Sequence, residues 1–217
     1  MMKELAKVAL QERHETGKGA CRKLRAEGQI PAVFYGPGYE GGLTVRAALL
    51  ELAPVFKSGN WETSVLQLAL PDGKEEMAIM KDVARDPLTG DLLHVDFYKL
   101  VKGHKVSVNV PVELVGRETC VGAKAGGVVE LHLHEVVMDV LPSEIPDSVV
   151  VDISGLNLDE SVLLSELSFP ESAHVYAEDD AVVVAVSRPR SVEEEEEAEE
   201  EVTEVEVVAK GKQIEEE

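Results

Sequence analysis

Residues 17–36 read GKGACRKLRAEGQIPAVFYG, and this stretch sets the architecture of the first half of the chain. The glycines around Lys18 break the preceding pattern, Ala20 to Glu27 reads as a short helix, and Gly28 stands where a helix end favours the left-handed conformation. Ile30 to Tyr35 is then an apolar strand that ends at the Gly36-Pro37-Gly38 turn. Upstream, Lys3 to Gln11 alternates, imperfectly, as a first strand. Downstream, Thr44 is placed to N-cap a second helix running to about Lys57, with Leu49, Leu52, Val55 and Phe56 on one face. Val65 to Leu70 and Met77 to Val83 flank the Pro71-Asp72-Gly73-Lys74 turn as a hairpin, and His94 to Tyr98 closes the segment as another strand. Residues 1–98 are therefore expected to form one compact unit mixing strands with two helices.

After Lys99 the texture changes to strands with almost no helix. Lys105 to Leu114 alternates well, with Pro111 as the mark of an edge or a bulge. Val128 to Leu141, Ser148 to Ile153 and Ala181 to Val186 are further β-rich runs, so residues 99–190 are expected to be a second, all-β domain. Residues 191–217, SVEEEEEAEEEVTEVEVVAKGKQIEEE, repel themselves and bury too little to fold alone, so a solvated, disordered acidic tail is expected.

Charge is divided as unevenly as structure. The net charge of the 217 residues is −21, but residues 1–105 carry 15 Lys/Arg against 14 Asp/Glu. Residues 106–190 carry 4 against 15, and residues 191–217 carry 2 against 13. A polyanionic partner must therefore meet the first half, although the whole-chain figure alone argues against nucleic acid. No apolar run approaches the roughly 20 residues of a membrane helix, and the first residues lack the apolar core of a signal peptide, so a cytoplasmic protein without a membrane partner is expected. Cys21 and Cys120 lie far apart without a CxxC, which indicates neither a disulfide framework nor a cysteine zinc site.

Three constellations can carry chemistry. Arg13, Lys18, Arg22, Lys23 and Arg25 form a basic cluster opposed only by Glu15, with Lys18 between two glycines at a helix start, where backbone can approach a phosphate. Arg22 and Arg25, three apart, share a helix face; the plain alternative is a solvated face, and the full GxxxxGK[ST] phosphate loop is missing. His94 and Asp96, two apart on a strand, point the same way and can bind a metal, orient a base or contact RNA, or simply brace a strand end. His132 and His134 likewise share one side of a predicted strand after a Gly-x5-His-x-His spacing similar to the opening of a cupin metal motif. That match then fails unless Asp139 supplies the carboxylate, so solvent-facing histidines are the simpler reading.

The segment GKGACRKLRAEGQIPAVFYG, followed some sixty residues on by HVDF (94–97), closely resembles the bacterial ribosomal proteins that bind 5S rRNA. The likeness is to the long form, also called the general stress protein CTC family. VPVELVGRETCVGAKAGGVVE (110–130), IPDSVVVDISGLNLDESVLLSEL (145–167) and the late basic KGK (210–212) of the acidic tail agree with that form. The resemblance implies a mainly β fold with some α: a small N-terminal β-barrel with two helices, a C-terminal all-β domain and a disordered acidic tail. It implies a non-enzymatic, ribosome-associated protein of the large subunit with no cofactor and no small-molecule substrate. The barrel is then expected to dock on the minor-groove side of the loop E region of 5S rRNA. By position, the implied RNA-contacting residues are Arg13, Lys18, Arg22, Arg25, Tyr35, Lys81, Arg85, His94 and Asp96. Cys21 stands where serine is frequent in the family, and Lys81 and Ala84 where glutamine occurs.

Readings from other classes make different demands. A cupin-like metal enzyme requires His132, His134 and Asp139 to converge with a further histidine. An acidic interaction module requires the tail and second domain to bind basic partners without the N-terminal cluster. The ribosomal reading requires Arg13, Lys18, Arg22 and Arg25 to gather beside His94; neighbouring ribosomal proteins are then further partners.

Overall fold

The computed structural model describes residues 6–57, 59–170, 172–178 and 180–188. The tail expected over 191–217 lies outside them, as does the beginning of the strand expected from Lys3.

Six strands close into a barrel: β1 (Ala6–Glu12), β2 (Gln29–Gly36), β3 (Tyr39–Ala48), β4 (Val65–Ala69), β5 (Glu75–Arg85) and β6 (Leu92–Lys99). Their order around the barrel is β1-β3-β2-β6-β5-β4, and the parallel pairing of β1 with β4 closes it. Closure leaves no free sheet edge. Alternate residues turn inward, so Val8, Leu10, Ile30, Ala32, Phe34, Val45, Ala47, Leu66, Leu68, Ala78, Met80, Val95 and Phe97 fill one core. The helix α1 (Lys18–Ala26) leads from β1 to β2, and α2 (Leu49–Lys57) adds Leu52 and Val55 to the same core.

The second helix starts later than the sequence suggests. Thr44 lies inside β3, where its hydroxyl donates to the Arg13 carbonyl at 3.0 Å, and caps nothing. Val45 and Ala47 are inward positions of a strand paired on both sides, by β1 and β2. Those ladders outweigh the helical periodicity of the following leucines, and the chain turns helical only at Leu49, whose N–H donates to the Gly28 carbonyl at 3.0 Å.

The second half folds as two sheets over a common core. One orders β10 (Val149–Asp152), β7 (Val106–Val115), β9 (Glu135–Val140) and β12 (His174–Val175); the other orders β11 (Glu160–Leu163), β13 (Val182–Ser187) and β8 (Val128–Leu131). Val108, Val110, Val136, Met138, Val140, Val151, Ile153, Val183 and Val184 pack between them. The run expected as one strand over Val128 to Leu141 is two strands in different sheets. The His132 and Leu133 N–H groups both donate to the Val183 carbonyl, and the His134 carbonyl accepts from Val112, so the chain crosses between sheets there. Pro111 lies in β7, an interior strand rather than an edge. The Val112 N–H is given to the β9 side, so the missing Pro111 N–H points the other way, just before pairing with β10 begins at Val112. A single-turn helix, α3 (Val121–Lys124), is an addition to the expected strands. It sits so close to the neighbouring loop that a Cβ on Gly122 would meet the Asn157 carbonyl oxygen at 2.9 Å.

The two units share a junction. Ile79 and Leu100 are buried with the second core, and Val65, Met77 and Tyr98 pack against it. The Lys81 ammonium donates to the Ser107 carbonyl at 2.7 Å, and the buried Thr63 hydroxyl donates to the Asp147 carbonyl at 3.0 Å.

Candidate nucleic-acid interface

The basic cluster and the His94–Asp96 pair meet on the outside of the barrel through one arginine. The Arg25 Nε and Nη2 both donate to the Leu93 carbonyl, at 3.0 and 2.8 Å. This fork holds the last turn of α1 against β6, one residue before His94. Only Leu24 of α1 is buried, so the helix rests on that side chain and on the Arg25 fork, leaving Lys18, Arg22 and Lys23 exposed. These three cations make no ion pair among the described residues. At the start of α1, Gly17 adopts φ 95°, a conformation that disfavours side chains, and no side chain caps the first turn. The first N–H groups therefore remain available to an anion beside Lys18.

Arg13 shapes the approach to that turn. Its Nε donates to the Val45 carbonyl at 3.1 Å and its Nη1 to the Glu15 carbonyl at 3.3 Å, with the Cys21 Sγ 3.8 Å from Nη1. Cys21, in the first turn of α1, thus joins the helix to the Arg13 loop.

The outer face of β2 and β6 carries the polar readers. His94 Nδ1 lies 2.7 Å from Asp96 Oδ1, as their spacing on one strand face requires. Asp96 stands beside Val33 in the β2–β6 ladder, and Tyr35 stands beside Tyr98, with their rings edge-on at 5.6 Å. Burial first, then the charges of Asp96 and Asp82 and the neighbouring Tyr98, push the Tyr35 phenol above its ordinary value of 10.0. Its hydroxyl is therefore a donor throughout the neutral range. Across the β5–β6 ladder, Asp82 faces Asp96 and Ala84 faces His94, because a bulge leaves Lys81 as the extra residue after Met80. The result is a row of phenol, carboxylates and imidazole beside a helix of free cations. Cations hold phosphates without reading sequence; carboxylates accept only from true donors such as 2′-hydroxyls and base amino groups.

Two expected site residues turn elsewhere. Lys81 reaches into the domain junction, where Ser107 takes its ammonium. Arg85 lies over the Phe56 ring at 5.0 Å, against α2 rather than beside His94. Asp82 and Tyr98, which the sequence did not single out, belong to the face; only the bulged hairpin register reveals Asp82.

The histidine pair of the second domain does not assemble a metal site. His132 and His134 are exposed on the crossing between sheets instead of one strand face. Asp139 accepts from the Tyr176 hydroxyl at 2.6 Å and sits opposite His174. Among the described residues, no group of three or more His, Cys, Asp or Glu is placed to hold a metal ion.

Comparison with known proteins gives the family. Residues 8–97 match the Ribosomal L25p family, and residues 105–190 match the C-terminal domain of ribosomal protein TL5. The chain is 37% identical over 205 residues to the large ribosomal subunit protein bL25 of Thermosipho africanus, covering 92% of this chain and 93% of the relative. It is 36% identical over 206 residues to that of Fervidobacterium nodosum, with 92% and 93% covered. To that of Halothermothrix orenii it is 39% identical over 194 residues, with 87% and 85% covered. A barrel with a basic helix and a His–Asp face, followed by a second β unit and matched along nearly its whole length, places this chain in the bL25 family of bacterial large-subunit ribosomal proteins, in its long, two-domain form.

Proposed function

We propose that the chain binds 5S rRNA in the large ribosomal subunit, with the barrel docked on the minor-groove side of the loop E region. As a member of its family it is a structural, non-enzymatic ribosomal protein at work on the ribosome in the cytoplasm. In this reading residues 1–98 bind the RNA, residues 99–190 are an attached β domain, and residues 191–217 form a solvated acidic tail.

The observation that carries the reading is the Arg25 fork on Leu93, which holds the basic helix α1 one residue from His94, itself paired with Asp96. A-form RNA hides its major groove and presents a wide, shallow minor groove lined with 2′-hydroxyls. Lys18 and Arg22 supply the salt-dependent phosphate contacts. Asp96 costs affinity wherever it meets no donor, and so rejects RNA of the wrong shape. Arg13 and Arg25 act mainly by fixing the loop and helix, since their guanidinium groups already hold backbone carbonyls. Lys81 and Arg85 stand at the margins of this surface.

The test is competition for the full chain between 5S rRNA and a 5S rRNA whose loop E is replaced by ordinary paired duplex. The expected preference for the natural RNA is ~3 orders of magnitude or more, as for other specific nucleic-acid proteins. Equal binding of the two would refute loop E recognition.

A further inference from the structure

Beneath α1 lies a cleft of about 410 Å³ that the surface described above does not use. The topology makes it: α1 joins β1 to β2, and these strands flank β3, so the helix must cross the outer side of β3. Arg46 sits on that strand, between Gln11 of β1 and Pro31 of β2, and faces away from the core that its neighbours Val45 and Ala47 enter. The cleft is lined by Arg46 from below, Lys23 from the helix and Arg13 from the loop, with Glu12, Glu15 and Glu27 among its walls.

The Arg46 Nε is buried and has no hydrogen-bond partner. Among the described residues, none of the three carboxylates forms an ion pair with Arg46, Arg13 or Lys23. Buried guanidinium nitrogens are almost always satisfied, so one left without a partner beside two further cations marks a place for an arriving acceptor.

We propose that this cleft is a binding site for a single backbone phosphate of the RNA partner, held by the Arg46 fork with Lys23 as a second charge. The inference rests on the RNA-binding reading and extends it to a site on the opposite flank of α1 from the Arg25 fork. Lys23 follows Arg22 on the helix, so a strand tracking the exposed cations passes the mouth of the cleft.

The experiment measures binding of the full chain to 5S rRNA and to a generic RNA duplex over a salt series, for wild type, Arg46→Gln, Lys23→Gln and the double variant, with Arg22→Ala beside them. Arg46→Gln is expected to lower the slope of log affinity against log salt by about one and to weaken natural and generic RNA by the same factor. The double variant should lose less than the two single variants together, since both groups hold one phosphate. If Arg46→Gln keeps the wild-type slope while Arg22→Ala loses a unit, the cleft proposal is overturned and the RNA-binding reading stands. If neither changes, both fall. Titration with inorganic phosphate, followed through the Arg46 Nε–H resonance, separates the sources: saturation by phosphate with an unchanged RNA slope in Arg46→Gln means a free-anion site and overturns the assignment to RNA. Should thermal melting show Arg46→Gln unfolded, Arg46→Lys combined with Lys23→Gln gives the same non-additivity, and strict additivity there would overturn the proposal.

Discussion

Glu62 is a carboxylate placed where a carboxylate is costly. It lies at the junction of the two units, where Lys81, Ser107 and Asn109 line the same small void, and its Oε2 is buried without a hydrogen-bond partner. Burial is the largest influence and pushes its acid up from the ordinary 4.5; Glu135 and Asp82 push the same way, while the Asn109 hydrogen bond and Lys81 oppose them. An acid whose folded value is raised keeps its proton longer in the native state than in the unfolded chain. Its effect on stability is therefore most favourable at low pH and is lost as pH rises from the unfolded value, 4.5, through the higher folded one. Glu62→Gln removes the charge, so the urea midpoint should be higher than wild type at pH 7, and the fall between pH 4.5 and neutrality should be shallower. A variant less stable at pH 7 would show that the Lys81 attraction outweighs burial. No local pattern reveals this residue, because its neighbours come from β5, β7 and β9; His94 and Asp96, by contrast, are legible because their pairing needs only the two-residue period of a strand.

At the scale of elements, α1 is a helix held in place from one side. It is nine residues long, buries Leu24 alone and has no side-chain N-cap, so its own propensity contributes little and its position depends on the Arg25 fork. Arg25→Ala should cost about 1–2 kcal/mol in urea unfolding, toward the lower end for bonds made by a charged group, because the site is half-exposed. Arg25→Lys should recover only part of that loss, since an ammonium cannot fork onto Leu93. Full recovery by lysine would show that charge, not the fork, holds the helix. The sequence placed Arg22 and Arg25 on one face, which spacing supports, but could not show that Arg25 faces the barrel while Arg22 faces solvent. The same limit explains Thr44 and His132. Whether AALLELA begins as helix or ends a strand depends on β1 and β2, far away in sequence; whether Val128 to Leu141 is one strand or two depends on Val183 offering its carbonyl at the crossing. Where turn chemistry decides locally, as at Pro71 to Lys74 and at Gly28, the reading and the structure agree.

The whole molecule divides its charge between its halves. The first 105 residues are nearly neutral, at +1, and set four of their cations on α1, while the remaining residues carry −22. The second unit packs against Ile79, Tyr98 and Leu100, and Tyr98 in turn meets Tyr35 edge-on, so an acidic unit is fixed against the end of the strand face that carries His94 and Asp96. In the proposed RNA-binding reading, such a unit would oppose loose association with polyanions and leave affinity to RNA that meets the cations and the His–Asp row together.

That joint demand is the central claim, and a salt series on the full chain tests it most directly, with Arg22→Ala and His94→Ala measured against 5S rRNA and a generic duplex. Arg22→Ala should flatten the salt slope by about one unit and weaken both RNAs alike, as loss of a phosphate contact does. His94→Ala should leave the slope unchanged and reduce the preference for 5S rRNA. If both variants bind both RNAs with the wild-type slope and the wild-type preference, the helix and the strand face are not one RNA-binding surface, and the account is wrong.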